Sequence, residues 1–134
     1  MSARPTAQAV LRQHALFRDL QPAALERIAA MAQRHSVPRP GRVFDQGDPG
    51  DALYGVISGR VHIVSAAADG REVLLNIMEP GDTFGEIALL DGGPRTAGAR
   101  APVAAELFRI TRESFRGLLG QDPDLALHML EALC

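Results

Sequence analysis

Apolar positions along the chain change their period twice, dividing it into three parts. At the start, Thr6 reads as the N-cap of a short helix through about Ala15, with Val10, Leu11 and the His14-Ala15 pair on one side. Leu16-Phe17-Arg18-Asp19-Leu20 makes a tight apolar connection. Pro22 then suits the first turn of a second helix, where its missing N–H does no harm. Leu25, Ile28, Ala29 and Ala32 give that helix an apolar face, and Pro38 and Pro40 end the helical region, expected over about 6–34.

From about 37 to 110 the pattern is that of a sheet, punctuated by Gly41, Gly47, Pro49-Gly50, Gly55, Gly59, Gly70 and Gly81. Val61 and Ile63 alternate with His62, the signature of a half-buried strand. Val73, Leu75 and Ile77 alternate with Leu74 and Asn76, a more fully apolar run, and Asp69-Gly70 between the two runs predicts a hairpin turn. Ala99 to Ile110 supplies the last strands. Many short antiparallel strands favour a jelly roll or barrel, so the expected class is α+β, a β jelly roll flanked by helices.

Helical spacing returns at Thr111 or Arg112, with Phe115, Leu118 and Leu119 on one face. Asp122-Pro123 is an N-cap followed by a first-turn proline, and Leu127, Leu130 and Leu133 are expected to point inward over about 111–134. The pattern runs into the last residue without a C-cap, so this helix reads as truncated.

Composition narrows the picture. The 134 residues fit a single domain, and 46% apolar content should suffice for a packed core. A formal net charge of −2 and the lack of a basic run argue against nucleic-acid binding through the domain's own field. The one cysteine, Cys134, permits no intrachain disulfide, which suits a reducing cytoplasm. Met1-Ser2-Ala3-Arg4-Pro5 leads into no long apolar run, so neither a signal peptide nor a membrane span is expected.

The stretch that carries chemistry runs from Phe84 to Ala97: Phe-Gly-Glu-Ile-Ala-Leu-Leu-Asp-Gly-Gly-Pro-Arg-Thr-Ala. A glycine turn opens a short apolar helix, leaving the N–H groups of Gly85, Glu86 and Ile87 able to face an anion. Arg95 offers a planar fork to phosphate oxygens, and the Thr96 hydroxyl adds a donor. Glu86 would repel a bare phosphate but accepts from hydroxyls such as those of a ribose. Phosphate beside ribose hydroxyl describes a nucleotide with a single negative charge.

This stretch resembles the phosphate-binding cassette of cyclic-nucleotide-binding domains, found in catabolite-activator/FNR regulators, cyclic-nucleotide-dependent kinases and gated channels. The family pattern F-G-E-x-A-L followed by P-R-[ST/A]-A is matched by Phe84–Leu89 and Pro94–Ala97. The resemblance implies a ligand-binding set of Gly85, Glu86, Ile87, Ala88, Arg95, Thr96 and Ala97. In it the amides and Arg95 hold the cyclic phosphate, and Glu86 takes the ribose 2′-hydroxyl. Val73, Leu75 and Phe84 are candidates for pocket lining, while Gly98 and Ala99 are smaller than their counterparts and leave less wall beside the base. A cassette leucine is expected to sense the C-terminal helices through Phe115 and Leu118.

The implied function is a non-enzymatic, cytoplasmic sensor of cyclic AMP, with cyclic GMP the close alternative and no other cofactor. The implied whole is a homodimeric bacterial regulator reaching DNA through a further C-terminal domain. Channel or kinase sensors, and an orphan interaction module of the same fold, are the other readings. A cupin-type metalloenzyme also starts from a small jelly roll but needs a His-x-His pair. Here Val64 follows His62 at that spacing, and His14, His35 and His128 are scattered, so no metal site is expected.

Overall fold

The computed structural model describes residues 5–132; Leu133 and Cys134, and the first four residues, lie outside them. Two helices come first, α1 (Ala7–Arg12) and α2 (Pro22–Ala30). The Thr6 hydroxyl caps α1 by accepting from the Ala9 N–H at 3.1 Å, and Pro22 sits at the start of α2, both as the pattern predicts. The helical region is shorter than expected, because β1 (Gln33–Val37) already begins where the spacing predicts helix to about 34. Gln33, Arg34 and Ser36 are exposed, His35 is half-buried against the Tyr54 ring, and only Val37 is buried, so no apolar alternation advertises this strand.

Among the described residues, eight antiparallel strands form two four-stranded sheets. One has the order β1-β8-β3-β6, with β3 (Ala52–Ser58), β6 (Thr83–Phe84) and β8 (Ala105–Thr111). The other has the order β2-β7-β4-β5, with β2 (Gly41–Phe44), β4 (Val61–Ala66), β5 (Glu72–Met78) and β7 (Gly98–Ala101). The β4–β5 hairpin turns at Asp69-Gly70, where Gly70 takes φ of 87°, a left-handed conformation that glycine adopts without strain.

The core has two layers, and β3 lies between them. Ala52, Tyr54 and Val56 face the second sheet, packing with Val61, Phe84, Ala99 and Leu107. Leu53 faces the helices, joining Leu11, Phe17, Leu25, Ile28, Ile110 and Phe115. A strand covered on both faces needs apolar residues at successive positions rather than every second one. Gly55 in this strand accommodates the Phe108 ring, since a Cβ there would sit 2.2 Å from Phe108 Cε1.

Beyond β8 the Thr111 hydroxyl accepts from the Ser114 N–H at 3.1 Å and starts α4 (Arg112–Gln121), which buries Phe115 edge-on to Phe17 at 6.3 Å. Asp122 then caps α5 (Pro123–Ala132) by accepting from the Leu125 N–H at 3.0 Å, and its carboxylate also pairs with Arg27 of α2. The buried face of α5 is Leu125 and Met129, whereas Leu127 and Leu130 are 57% and 61% exposed. Leucines lie on both sides of this helix, so periodicity alone misplaces its inner face. Among the described residues, no helix is long and apolar enough to cross a membrane.

The second sheet corrects another expectation. Val73, Leu74, Leu75 and Ile77 of β5 are 41–57% exposed, although the run is the more apolar of the hairpin. Strand β5 is the outer edge of its sheet and only its last residue, Met78, packs against the core, so position overrides hydrophobicity.

Two glycines with opposite surroundings test this packing. Gly55→Ala should destabilise the domain by about 1–3 kcal/mol through overpacking against Phe108. Gly120→Ala, in α4 with nothing within 4 Å of the added methyl, should stabilise it by roughly 0.5–1 kcal/mol. Urea denaturation midpoints moving in opposite directions would bear this out, and a common direction would contradict it.

Candidate functional site

The segment 84–97 folds around one cavity of about 460 Å³. Strand β6 delivers Phe84, Gly85 turns the chain with φ of 78°, and α3 (Ile87–Leu90) follows with Glu86 as its N-cap residue. The returning strand is fixed against the loop before β3 by backbone bonds: Arg95 N–H donates to Asp48 O at 2.7 Å, Gly47 N–H to Arg95 O at 2.8 Å, and Gly50 N–H to Gly93 O at 2.9 Å. Glu86 and Arg95 are thereby brought to one cavity, together with Gly85, Ile87, Thr96 and Ala97.

Arg95 is the only charged residue among the buried ones described, at 8% exposure. Its guanidinium donates from Nη2 to Ala52 O at 2.7 Å and from Nη1 to Gly85 O at 3.3 Å. Its flat face lies 4.1 Å from the centroid of the Phe44 ring, a cation–π contact. Phe44 belongs to an aromatic group in which Tyr54 stacks on Phe84 at 5.4 Å. Burial lowers the Arg95 pKa from its ordinary value, opposed by the Tyr54, Asp51 and Asp48 oxygens. The nearest carboxylate, Asp51, is 4.0 Å away and largely exposed, and Nε is sealed from solvent without a hydrogen-bond partner among the described residues. A buried cation held mainly by carbonyls and a ring is under-compensated, and an oxyanion in the cavity would complete it. Gly85 is required here on two counts, since a Cβ would stand 2.7 Å from Arg95 Nη1 as well as straining the positive φ.

Glu86 is partly exposed, and its Oε1 lies 3.9 Å from His14 Nε2, in the segment after α1. At that distance the contact is electrostatic rather than a formed hydrogen bond. The His14 Nδ1 accepts from the Leu16 N–H at 3.1 Å, so the neutral ring carries its proton on Nε2, the nitrogen that faces the carboxylate. The Glu86 pKa is held below the ordinary carboxylate range by His14 first, aided by backbone N–H and opposed by burial. The cavity thus presents a carboxylate and a guanidinium at separate positions.

The remaining expectations divide. Phe84 lines the cavity, but Val73 and Leu75 do not; they lie on the exposed edge strand. Ile63 of β4 and Met78 of β5 supply the apolar wall instead. Gly98 and Ala99 do not line the cavity either: a Cβ at Gly98 would meet Val64 and Arg100, and Ala99 is buried between the sheets, so their size does not thin that wall. Within α3, Leu89 is buried in one cluster with Phe115, against which Leu118 packs, while Ile87 and Leu90 are 62% and 40% exposed. The backbone of Ala88 lies in the first turn of α3, and Thr96 is exposed at the cavity. Sequence reasoning missed Phe44 and His14. The aromatic residue closing the apolar pair Val43-Phe44 is a usable signal for the first; nothing local marks the second. Among the described residues no group of three or more His, Cys, Asp or Glu side chains could hold a metal ion.

Comparison with known proteins agrees with this geometry. Residues 34–122 match the family model of the cyclic nucleotide-binding domain. A CRP-like cAMP-activated global transcriptional regulator of Mycobacterium tuberculosis is 36% identical over 92% of this chain and 55% of its own length. The cyclic AMP receptor protein of Thermus thermophilus is 39% identical over 88% of this chain and 54% of its length. The chain therefore spans about half the length of these curated relatives. The crystal structure of the N-terminal domain of a Streptomyces coelicolor transcriptional regulator superposes with a TM-score of 0.86 at 33% identity, covering 92% of this chain and 89% of that one. A jelly roll carrying this cassette, matched over two-thirds of its length by the family model, places the chain in the cyclic-nucleotide-binding domain family.

Proposed function

We propose that this domain is a non-enzymatic sensor that binds a purine 3′,5′-cyclic nucleotide, cyclic AMP first and cyclic GMP as the alternative. The observation that carries the reading is the pairing, in one cavity, of the buried, under-compensated Arg95 guanidinium with the Glu86 carboxylate. A ligand with one anionic group and a nearby hydroxyl satisfies both; a polyanion would meet repulsion from Glu86. In this reading the cyclic phosphate takes Arg95 and the leading N–H groups of Gly85, Glu86, Ile87 and Ala88. The ribose 2′-hydroxyl donates to Glu86, and Thr96 and Ala97 border the phosphate and base.

The output follows from the cassette's place in the core. Leu89 of α3 shares a cluster with Phe115 of α4, so drawing α3 onto the ligand shifts the helices behind it. A ligand moves that equilibrium only by binding one helix arrangement more tightly than the other. Two of the relatives are named as cAMP-responsive, one of them a transcriptional regulator, which favours a sensor half working as a homodimer with a DNA-reading domain.

Calorimetric titration with cyclic AMP and cyclic GMP tests the reading directly. Saturable binding is expected, weakened roughly 30-fold or more in Arg95→Ala, the consequence of a loss of about 2–5 kcal/mol. A circular dichroism melt separates loss of the contact from loss of the fold. Failure of both nucleotides to saturate the folded wild-type protein, at full length as well as in this domain, would reject it.

Glu86 provides a second test through ligand chemistry and pH. The 2′-deoxy analogue should bind more weakly than cyclic AMP to the wild type, and Glu86→Gln should abolish most of that difference. Because the Glu86 pKa is lowered, its ionised form persists from neutral pH down through the ordinary carboxylate range, and affinity should fall only as pH drops through the lowered value. In His14→Gln the fall should begin at higher pH. Identical pH profiles for the two proteins would contradict the role given to His14.

A further inference from the structure

A second cavity, of about 660 Å³, lies on the other side of the Gly92-Gly93 loop from the first. We propose that it binds a compact phosphorylated anion carrying more than one negative charge. Three guanidinium groups border it: Arg109 at the end of β8, and Arg112 and Arg116, which are four residues apart on α4 and so share one helix face. Two carboxylates oppose them, Asp51 and Glu113. Asp51 is already engaged, 3.3 Å from Arg109 and 4.0 Å from Arg95, so the positive charge of the α4 face is left in excess.

Arg112 is the residue that argues for a site rather than a charged surface. Its Nε is sealed from solvent with no hydrogen-bond partner, and among the described residues neither Arg112 nor Arg116 has an ion pair. The Arg112 side chain lies against Gly92, where a Cβ would stand 2.9 Å from Nε and 3.0 Å from Cζ. Packing of Nε and Cζ against Gly92 fixes the plane of the guanidinium, and its two Nη groups, which make no hydrogen bond among the described residues, are the fork left for phosphate oxygens. An ammonium at that position would present its donors from a single point, without the planar fork.

The walls define what kind of anion fits. Pro49, Gly50, Gly92 and Gly117 contribute small residues and no aromatic ring lines the cavity, so nothing is present to stack a nucleobase. The depression is more open than the first pocket, which suits a charged, hydrated ligand rather than an enclosed apolar one. Charge without a stacking surface selects a polyphosphate or a small organic phosphate over a nucleoside.

The test uses sodium tripolyphosphate as the probe, followed by amide NMR at constant ionic strength with sodium sulfate as the control anion. Saturable shifts are expected at Gly92, Arg112, Glu113 and Gly117, with the apparent affinity falling by about tenfold or more in Arg112→Gln/Arg116→Gln. The single variant Arg116→Gln, altering an exposed side chain, should fold normally and still lose about threefold or more, which keeps the test valid if the double variant melts early. Shifts that fail to saturate, that centre on Gly85 and Thr96, or that match in wild type and variants would overturn the proposal. So would saturation by an acidic peptide where tripolyphosphate and sulfate behave alike.

Discussion

A guanidinium buried in the wall of a pocket is the constraint to which much of this domain conforms. Arg95 must leave water, and each element around it offsets part of that desolvation: the carbonyls of Ala52 and Gly85, the face of Phe44, and the more distant Asp51. Strand β3 has to pass close enough to present Ala52 O, and both of its faces are covered by core. Gly85 has to lack a side chain for the fork to fit beneath the turn. The helices pack on the far side of the same strand, so the charged site and the apolar core share one wall.

That shared wall explains why the site and the helices are mechanically close. Leu89 is only two residues beyond the first residue of α3, yet it belongs to the cluster that holds Phe17, Phe115 and Met129. A short helix with one end at a polar cavity and a side chain in the core cannot shift without disturbing both. The link needs no long chain of intermediates: pocket, α3 and α4 are successive neighbours.

Much of this was legible in the sequence where local chemistry dictates structure. Thr6, Thr111 and Asp122 cap helices because their oxygens accept from backbone N–H groups a turn ahead, and such signals are short-range. The cassette was legible through its match to the family pattern at both Phe84–Leu89 and Pro94–Ala97, and the structure adds that Gly85 and Arg95 are coupled sterically. What escaped depended on position in the sheets. Strand β1 is polar because one side faces water, β5 is apolar while exposed, and the inner face of α5 is set by its neighbours rather than by its leucines. His14 reaches Glu86 across 72 positions of sequence, a proximity no local pattern encodes.

The acceptors that hold Arg95 are main-chain oxygens, and this has a consequence for how such a domain diverges. A carbonyl survives replacement of the side chain attached to it, but Ala52 is fully buried between the sheets, so packing and not the hydrogen bond limits what can stand at position 52. At Gly85 the close approach of the guanidinium leaves no room for a side chain. Both acceptors thus stand at positions held to small residues, so the arginine is anchored by backbone whose side chains have little room to change.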